Sequence, residues 1–396
     1  MIASERVEPL FGCGIAGILK ASTGIQNALP IVHGSVGCAA GHRIIPLLAG
    51  KVPLVPTTAL TEIDVILGTE DRIRASVEKA IDSYHPEMII IILTCATSLT
   101  GEIHTTLSTS LQEKYKIPFF ILDGSGTTGS DIEGYRSFYN SFHELEMKSK
   151  KPEAKISGIE LIGVSEADFE SNNQISSIQD LLTFAFGSPA ERVLFQNINL
   201  QFDANKILLP LEIGYLWMDG HSAFPAPVGV DGISMWIQNA SKISNKPVTS
   251  QFQGQLDLLA QNVANFSKKY DLSSLKIGIE AGSWQAVGLG KFLSNELGCS
   301  VLISSDKAAW DYQNANGFFA ETYIDMGNIE LVDKMESFGA QLVFGSSYSK
   351  FGNWSWVPFW QPVWHVVAEQ GSFLGLKGTD RILKLLESFL EHENAG

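Results

Sequence analysis

Residues 88–95 read Met-Ile-Ile-Ile-Ile-Leu-Thr-Cys. An apolar run so short and so rich in β-branched side chains suits a strand buried on both faces, and it is too short to span a bilayer. Strands covered on both faces belong to parallel sheets flanked by helices, so this segment restricts the chain to the α/β class. Its neighbours agree. Candidate strands at 30–33, 52–56, 88–94 and 117–123 alternate with helical patterns at 69–83, where Ile73, Val77, Ala80 and Ile81 form one stripe, and at 102–113.

A chain of 396 residues, 45% of them hydrophobic, is long enough for two or three cores. The polar stretch 147–155, MKSKKPEAK, reads as a first linker. Beyond it come a strand at 159–164, a helix at 177–186 and a strand at 207–211. A Pro- and Gly-rich passage at 224–232 then leads into a long helical region from Ile233 to Tyr270. A third unit opens on Lys276-Ile-Gly-Ile-Glu-Ala-Gly282, continues through a helix ending at Gly298, and holds strands at 300–304 and 341–345. The expectation is three Rossmann-like α/β domains with parallel sheets flanked by helices, over 1–146, 156–270 and 271–396.

Three cysteines lie on Gly-rich turns where a strand or helix meets a loop: Phe-Gly-Cys13-Gly, His33-Gly-Ser-Val-Gly-Cys38 and Ile-Leu-Thr-Cys95-Ala. Unpaired amides at such turns favour a thiolate, and the glycines let inorganic sulfide approach the main chain. Cys95 follows the carboxyl end of its strand, where open α/β sheets keep their ligands. Four cysteines are too few for a disulfide framework in a chain this long. Zinc is the competing metal, but structural zinc favours closely spaced Cys pairs, whereas these positions are 25 and 57 residues apart. Iron–sulfur ligation suits them better. Cys299, between a helix end and a strand, reads as a core thiol. His33, His42, Glu62 and Asp64 lie near the cysteine turns in sequence, where they could tune a cluster or simply serve the turns and caps.

With these residues on the page, the chain resembles component 1 of the nitrogenase superfamily, and within it the beta-type subunit. The likeness rests on Pro30-Ile-Val-His-Gly-Ser-Val-Gly-Cys38, on Thr57-Thr-Ala-Leu-Thr-Glu62 with Ile66-Leu-Gly68, and on His85-Pro-Glu-Met through Thr94-Cys95. It continues through Pro227-Val-Gly-Val-Asp231, Lys291-Phe-Leu through Leu297-Gly-Cys299, and Phe344-Gly-Ser-Ser-Tyr-Ser-Lys350. The resemblance implies that Cys13, Cys38 and Cys95 are the beta-type ligands of an interfacial iron–sulfur cluster, of the [8Fe-7S] P-cluster type or a [4Fe-4S] cluster, shared with a partner subunit. It places Ser130 where such subunits carry a serine able to ligate the oxidised cluster; read as a residue, Ser130 is also an N-cap for a helix entering at Asp131.

The implied partners are an alpha-type subunit, in a heterodimer or heterotetramer, and an ATP-dependent iron protein. This chain has no G-x-x-x-x-G-K-[ST] loop of its own. The implied function is to relay low-potential electrons toward a substrate or cofactor site in the alpha-type partner, with dinitrogen or a small thioether as candidate substrates. Two alternatives stand beside it: a non-catalytic scaffold for cofactor assembly, and a subunit of a tetrapyrrole reductase. The chain is shorter than a typical nitrogenase beta chain and begins without that chain's long extension, which disfavours a full molybdenum nitrogenase. His365, in Pro-Val-Trp-His-Val-Val, reads as structural rather than as a cofactor ligand.

A formal charge of −15 opposes nucleic acid and anionic membrane surfaces. The first ten residues carry Glu5 and Glu8 and do not read as a secretory leader, so a cytoplasmic location is expected. The glycines from Gly282 to Gly290 miss the G-x-G-x-x-G spacing and read as packing positions. The aromatic stretch 351–364, with Trp354, Trp356, Phe359, Trp360 and Trp364, is dense enough to predict a subunit interface or a cavity wall.

Overall fold

The computed structural model describes residues 12–23, 25, 27–48, 54–101, 105–148, 159–162, 171–189, 192–193, 207–210, 225–305, 319–324, 326–360 and 371–393. Residues 149–155 of the expected linker, Trp364 and His365 lie outside them. The architecture is the expected one, parallel sheets flanked by helices.

The first unit begins with α1 (Gly14–Thr23), β1 (Ala28–His33), α2 (Val36–Leu48), α3 (Glu62–Leu67) and α4 (Glu70–Tyr84). It continues with β2 (Met88–Leu93), α5 (Cys95–Leu99), α6 (Thr105–Tyr115), β3 (Phe119–Asp123) and α7 (Asp131–Lys148). The three strands pair in parallel in the order β1-β2-β3. Ile89 and Ile91 face α4 and α6, while Ile90 and Ile92 face α1 and α7, so the isoleucine run is buried on both sides as its composition demands. The expected strand over 52–56 does not form among the described residues. Instead Val32 donates its N–H to Pro56 O at 2.9 Å, and Thr57 makes an isolated parallel bridge to Val32. Prolines at 53 and 56 bring no amide hydrogen, and a ladder cannot be extended through them.

The second sheet joins β4 (Ile159–Ile162), β5 (Arg192–Val193) and β6 (Ile207–Pro210), with α8 (Ser171–Phe186) between the first two. The helical region that follows is two helices rather than one, α9 (Gly229–Ser244) and α10 (Ser250–Lys269). Asn245 takes a left-handed φ of 51° and Pro247 follows, so the backbone leaves the helix between them.

The last sheet holds β7 (Lys276–Glu280), β8 (Ser300–Ser305), β9 (Glu321–Ile324), β10 (Leu342–Gly345) and β11 (Ser355–Pro358), all parallel, in the order β11-β10-β7-β8-β9. α11 (Ser283–Lys291) runs into a π-turn, Phe292–Glu296, and is followed later by α12 (Asn328–Phe338) and α13 (Gly375–Glu393). One apolar cluster runs from Ile178 on α8 through Trp236, Trp284 and Phe344 to Leu386 on α13, so the last helix packs back onto α8, α9 and α10. No described helix is long and apolar enough to cross a membrane.

Candidate metal centre

The carboxyl ends of β1, β2 and β3 lie side by side, and each leads through a short turn into a helix. After β1 comes Gly34-Ser35 and then α2, with Cys38 in its first turn. After β2, Thr94 caps α5 and Cys95 is its first residue. After β3, residues 124–129 curve around to α7. Cys13 reaches the same edge from the other side. It bridges Ser130 in antiparallel fashion, while Asp131 N–H donates to Gly12 O at 2.8 Å and Ile15 N–H donates to Gly124 O at 2.9 Å.

This placement depends on α1 lying almost against α7. A Cβ on Gly17 would fall 1.6 Å from Asp131 O, and one on Gly134 would fall 2.0 Å from Gly14 O. Only glycine permits that approach. The crossing brings Cys13 to the loop after β3, facing Cys95.

Cys13 lies within electrostatic reach of both Cys95 and Cys38. Gly126 N–H donates to Cys95 Sγ at 3.3 Å, and a Cβ on Gly126 would stand 3.4 Å from Cys13 Cβ and 4.0 Å from Cys95 Sγ. Ser35 Oγ–H points to Cys38 Sγ at 3.8 Å. Burial raises the Cys13 thiol above its usual pKa, and the neighbouring Cys95 and Cys38 push it the same way, against the lowering effect of the Ile15 and Ala16 amides. Cys95 is exposed, and Cys13 and Cys38 are half-buried. His42 brings its Nε2 to 3.6 Å from Cys13 Sγ, and burial lowers its pKa.

The other polar residues near the turns have different tasks. His33 is fully buried and meets Thr58 Oγ1 at 3.0 Å through Nδ1 and Thr69 Oγ1 at 2.9 Å through Nε2, which ties the end of β1 to the segment before α4. Asp64 closes a capping box with Thr61, and the Arg72 guanidinium beside it, with Thr61, holds its carboxyl down at about 2. Glu62 is an exposed first-turn residue of the same helix. Ser130 donates its hydroxyl to Glu133 Oε2 at 2.6 Å, and its amide donates to the same oxygen at 2.9 Å. Its side chain therefore serves the start of α7, with no bond to the thiols. Cys299 is buried, and burial pushes its thiol up to about 12, as suits a core residue.

Apolar side chains stand exposed around this edge. Val36 precedes Cys38 on α2, Leu99 ends the helix that Cys95 begins, and Ile63, Ile66 and Leu67 lie on α3, which has no buried residue. Ile66 and Leu67 are each 80% exposed and Leu99 74%. The α3 segment is held against the same turn, because Leu60 N–H donates to Gly34 O at 2.9 Å. In the aromatic stretch, Trp354 and Trp356 donate their indole N–H groups to Ser349 O and Ser346 O, and Phe359 packs with Phe344 and Phe373 in the core. Phe351 is 83% exposed. The described part of that stretch thus makes internal contacts through Trp354, Trp356 and Phe359, and Phe359 also lines a small cavity with Ala226, Val228, Phe373 and Leu374.

Fold and site together define an α/β protein of parallel sheets with three thiols at one sheet's carboxyl edge. Residues 13–198 match the family described as nitrogenase component 1 type oxidoreductase. The nitrogenase vanadium-iron protein beta chain of Trichormus variabilis is 22% identical over 76% of this chain and 72% of that one, and the iron-iron protein beta chain of Rhodobacter capsulatus is 22% identical over the same shares. The nitrogenase iron-molybdenum cofactor biosynthesis protein NifE of Clostridium pasteurianum is 30% identical over 38% of this chain, a match that spans 33% of that protein's length. The solved structure of nitrogenase Cp1 at pH 6.5 superposes with a TM-score of 0.77 at 18% identity, over 99% of this chain and 95% of that one. The family match thus covers residues 13–198, and over a longer stretch the chain is similar to nitrogenase beta chains and, in fold, to nitrogenase Cp1.

Proposed function

We propose that this chain is the beta-type subunit of a nitrogenase-like two-component oxidoreductase and holds an iron–sulfur cluster through Cys13, Cys38 and Cys95 at its contact with an alpha-type subunit. The observation that carries the reading is the meeting of the three thiols at one sheet edge, bordered by exposed Val36, Ile66, Leu67 and Leu99.

The donor set fits such a group. Thiols suit iron and sulfide, the Gly126 amide offers a hydrogen bond to sulfur, and the missing Cβ at that residue leaves room beside Cys13 and Cys95. Among the described residues no three His, Cys, Asp or Glu side chains gather to hold a lone metal ion. A cluster offers each ligand its own iron, so its ligands stand farther apart. A cluster bound here would take up and release single electrons. The chain's part is to anchor it by three thiolates, to set its potential through amide donors, and to exclude water once the apolar border is covered.

In this reading the electrons come from a separate ATP-hydrolysing iron protein and pass toward the alpha-type partner. Ser130 could join as a ligand only by giving up its bond to Glu133. Both the four-iron and the eight-iron forms are compatible with the three thiols. The test is anaerobic purification with the alpha-type partner, followed by iron and sulfide analysis. Cys95→Ala is expected to remove most of the bound iron and to abolish reduction by the iron protein, and retention of the full iron content overturns the assignment.

A second reading, a scaffold on which a cofactor is assembled, draws support from the relatives named as cofactor biosynthesis proteins. A scaffold donates cofactor to an acceptor protein and turns over substrate poorly. Measuring both on one preparation separates the two readings.

A further inference from the structure

Asp123 ends β3 at the edge that carries the thiols, and its carboxylate joins two of the segments that meet there. Oδ2 accepts the Ser98 hydroxyl at 2.7 Å, from the helix that Cys95 begins. Oδ1 accepts the Ser125 amide at 2.8 Å, from the turn after β3. Ser125 is fully buried, and its hydroxyl bonds those of Thr127 at 2.9 Å and Thr128 at 3.1 Å, so the turn closes on itself beside the carboxylate. Burial works to raise the Asp123 pKa, but the Ser125 amide and the hydroxyls of Ser98, Ser125 and Thr128 outweigh it and hold the group below its ordinary value.

The same turn reaches toward two of the thiols. Gly124 O takes the Ile15 amide at 2.9 Å, just beyond Cys13 in the chain, and the Gly126 amide donates to Cys95 Sγ at 3.3 Å. Gly126 is exposed and has no side chain to hold it, so the direction of its amide is set by its neighbour Ser125, which Asp123 fixes.

We propose that Asp123 is a positioning residue for the iron–sulfur cluster: by tying α5 to the turn after β3, it aims the Gly126 amide at the Cys95 sulfur and so raises the reduction potential. The inference rests on the cluster reading given above. An iron-bound thiolate gains negative charge when the cluster takes up an electron, and an amide hydrogen pointed at that sulfur favours the reduced state. The charge of the carboxylate acts the other way, since a nearby anion opposes added negative charge. Two neutral variants separate these effects. Asparagine keeps a carbonyl oxygen for the Ser125 amide and an amide group for Ser98 Oγ, whereas alanine keeps neither.

The test uses the full chain, purified anaerobically with its alpha-type partner and loaded with iron and sulfide. Redox titration reads the midpoint potential, and pulsed electron–nuclear double resonance before and after exchange into heavy water reads exchangeable protons near the cluster. Asp123→Asn is expected to keep an exchangeable proton coupling and to match or exceed the wild-type potential. Asp123→Ala is expected to lose that coupling and to have a potential below that of Asp123→Asn. A potential in Asp123→Ala equal to or above that of Asp123→Asn overturns the proposal and leaves the three-cysteine reading standing. If Asp123→Ala does not fold or holds no iron, Ser98→Ala decides, because it keeps the charge and cuts the tie to α5. A potential below wild type in Ser98→Ala then supports the proposal, and an unchanged one overturns it. A wild-type protein that takes up no cluster at all overturns the cluster reading, and this proposal falls with it.

Discussion

Glu296 is held where an isolated carboxylate would not choose to be. It ends the π-turn after α11 and accepts the Val230 amide at 2.8 Å and the Asp231 amide at 3.1 Å, capping α9 from another element in place of Val228, which has no capping side chain. Burial, with a smaller effect of the Asp231 charge, pushes its carboxyl up to about 7 from 4.5. The folded chain therefore binds this proton more tightly than the unfolded chain. The group's stabilisation is complete below about pH 4.5 and is lost as the pH rises through 7. Glu296→Gln keeps an acceptor without the charge. Thermal unfolding of this variant is expected at a higher temperature than wild type at pH 8, with the difference shrinking toward pH 5. Glu280 is a second buried acid, raised by burial, whose oxygens take the hydroxyl of Ser346 at 2.5 Å and its amide at 3.2 Å. That pairing joins the end of β7 to the turn after β10. Removing its acceptors by Glu280→Ala leaves the buried Ser346 hydroxyl proton and amide without an acceptor, and a loss of about 1–3 kcal/mol in denaturant unfolding is expected.

Among the elements, the crossing of α1 over α7 decides where Cys13 goes. Ala at Gly134 would place a methyl 2.0 Å from Gly14 O, and neither backbone can yield without separating the helices. Gly134→Ala is expected to destabilise the chain by about 3 kcal/mol and to weaken iron binding, because Cys13 moves with α1. Gly41, on α2 between Cys38 and His42, is the control. No atom lies within 4 Å of its Cβ position, so Gly41→Ala is expected to be neutral or stabilising by up to about 1 kcal/mol in the same measurement. Element by element, the sequence shows which segments form strands where burial forces one pattern, as in 88–93, 119–123 and 276–280. It misses β9, β11, α12 and α13, and it joins α9 to α10. β11 contains Trp356 and Pro358 on a sheet edge, where an irregular composition is tolerated and the apolar run that marks a central strand is absent.

At the scale of the molecule, the exposed apolar residues around the cysteine edge form a surface that a solvated subunit gains little by keeping bare. α3 shows this most plainly: it is well capped at Thr61 and yet turns Ile63, Ile66 and Leu67 to solvent. If the alpha-type subunit proposed above covers this face, Ile66→Asp and Leu99→Asp each leave the circular dichroism and melting of the isolated chain unchanged while weakening its association with that subunit about tenfold or more, read by sedimentation or titration calorimetry. Unweakened association would mean that the partner covers another face.

Residues 88–95 and the helical stripe of Ile73, Val77 and Ala80 were enough to determine the class of fold, because burial on two faces demands residue types that few other roles use, and the Gly-flanked cysteines marked the sheet edge at which a site is proposed. Which thiols and which imidazole share a space was decided only in three dimensions. His42 and Cys13 meet across 29 residues through the α1–α7 crossing, and Ser130 bonds Glu133. No local pattern encodes such meetings, since they depend on how closely two backbones pack, and that distance is set by every side chain between them.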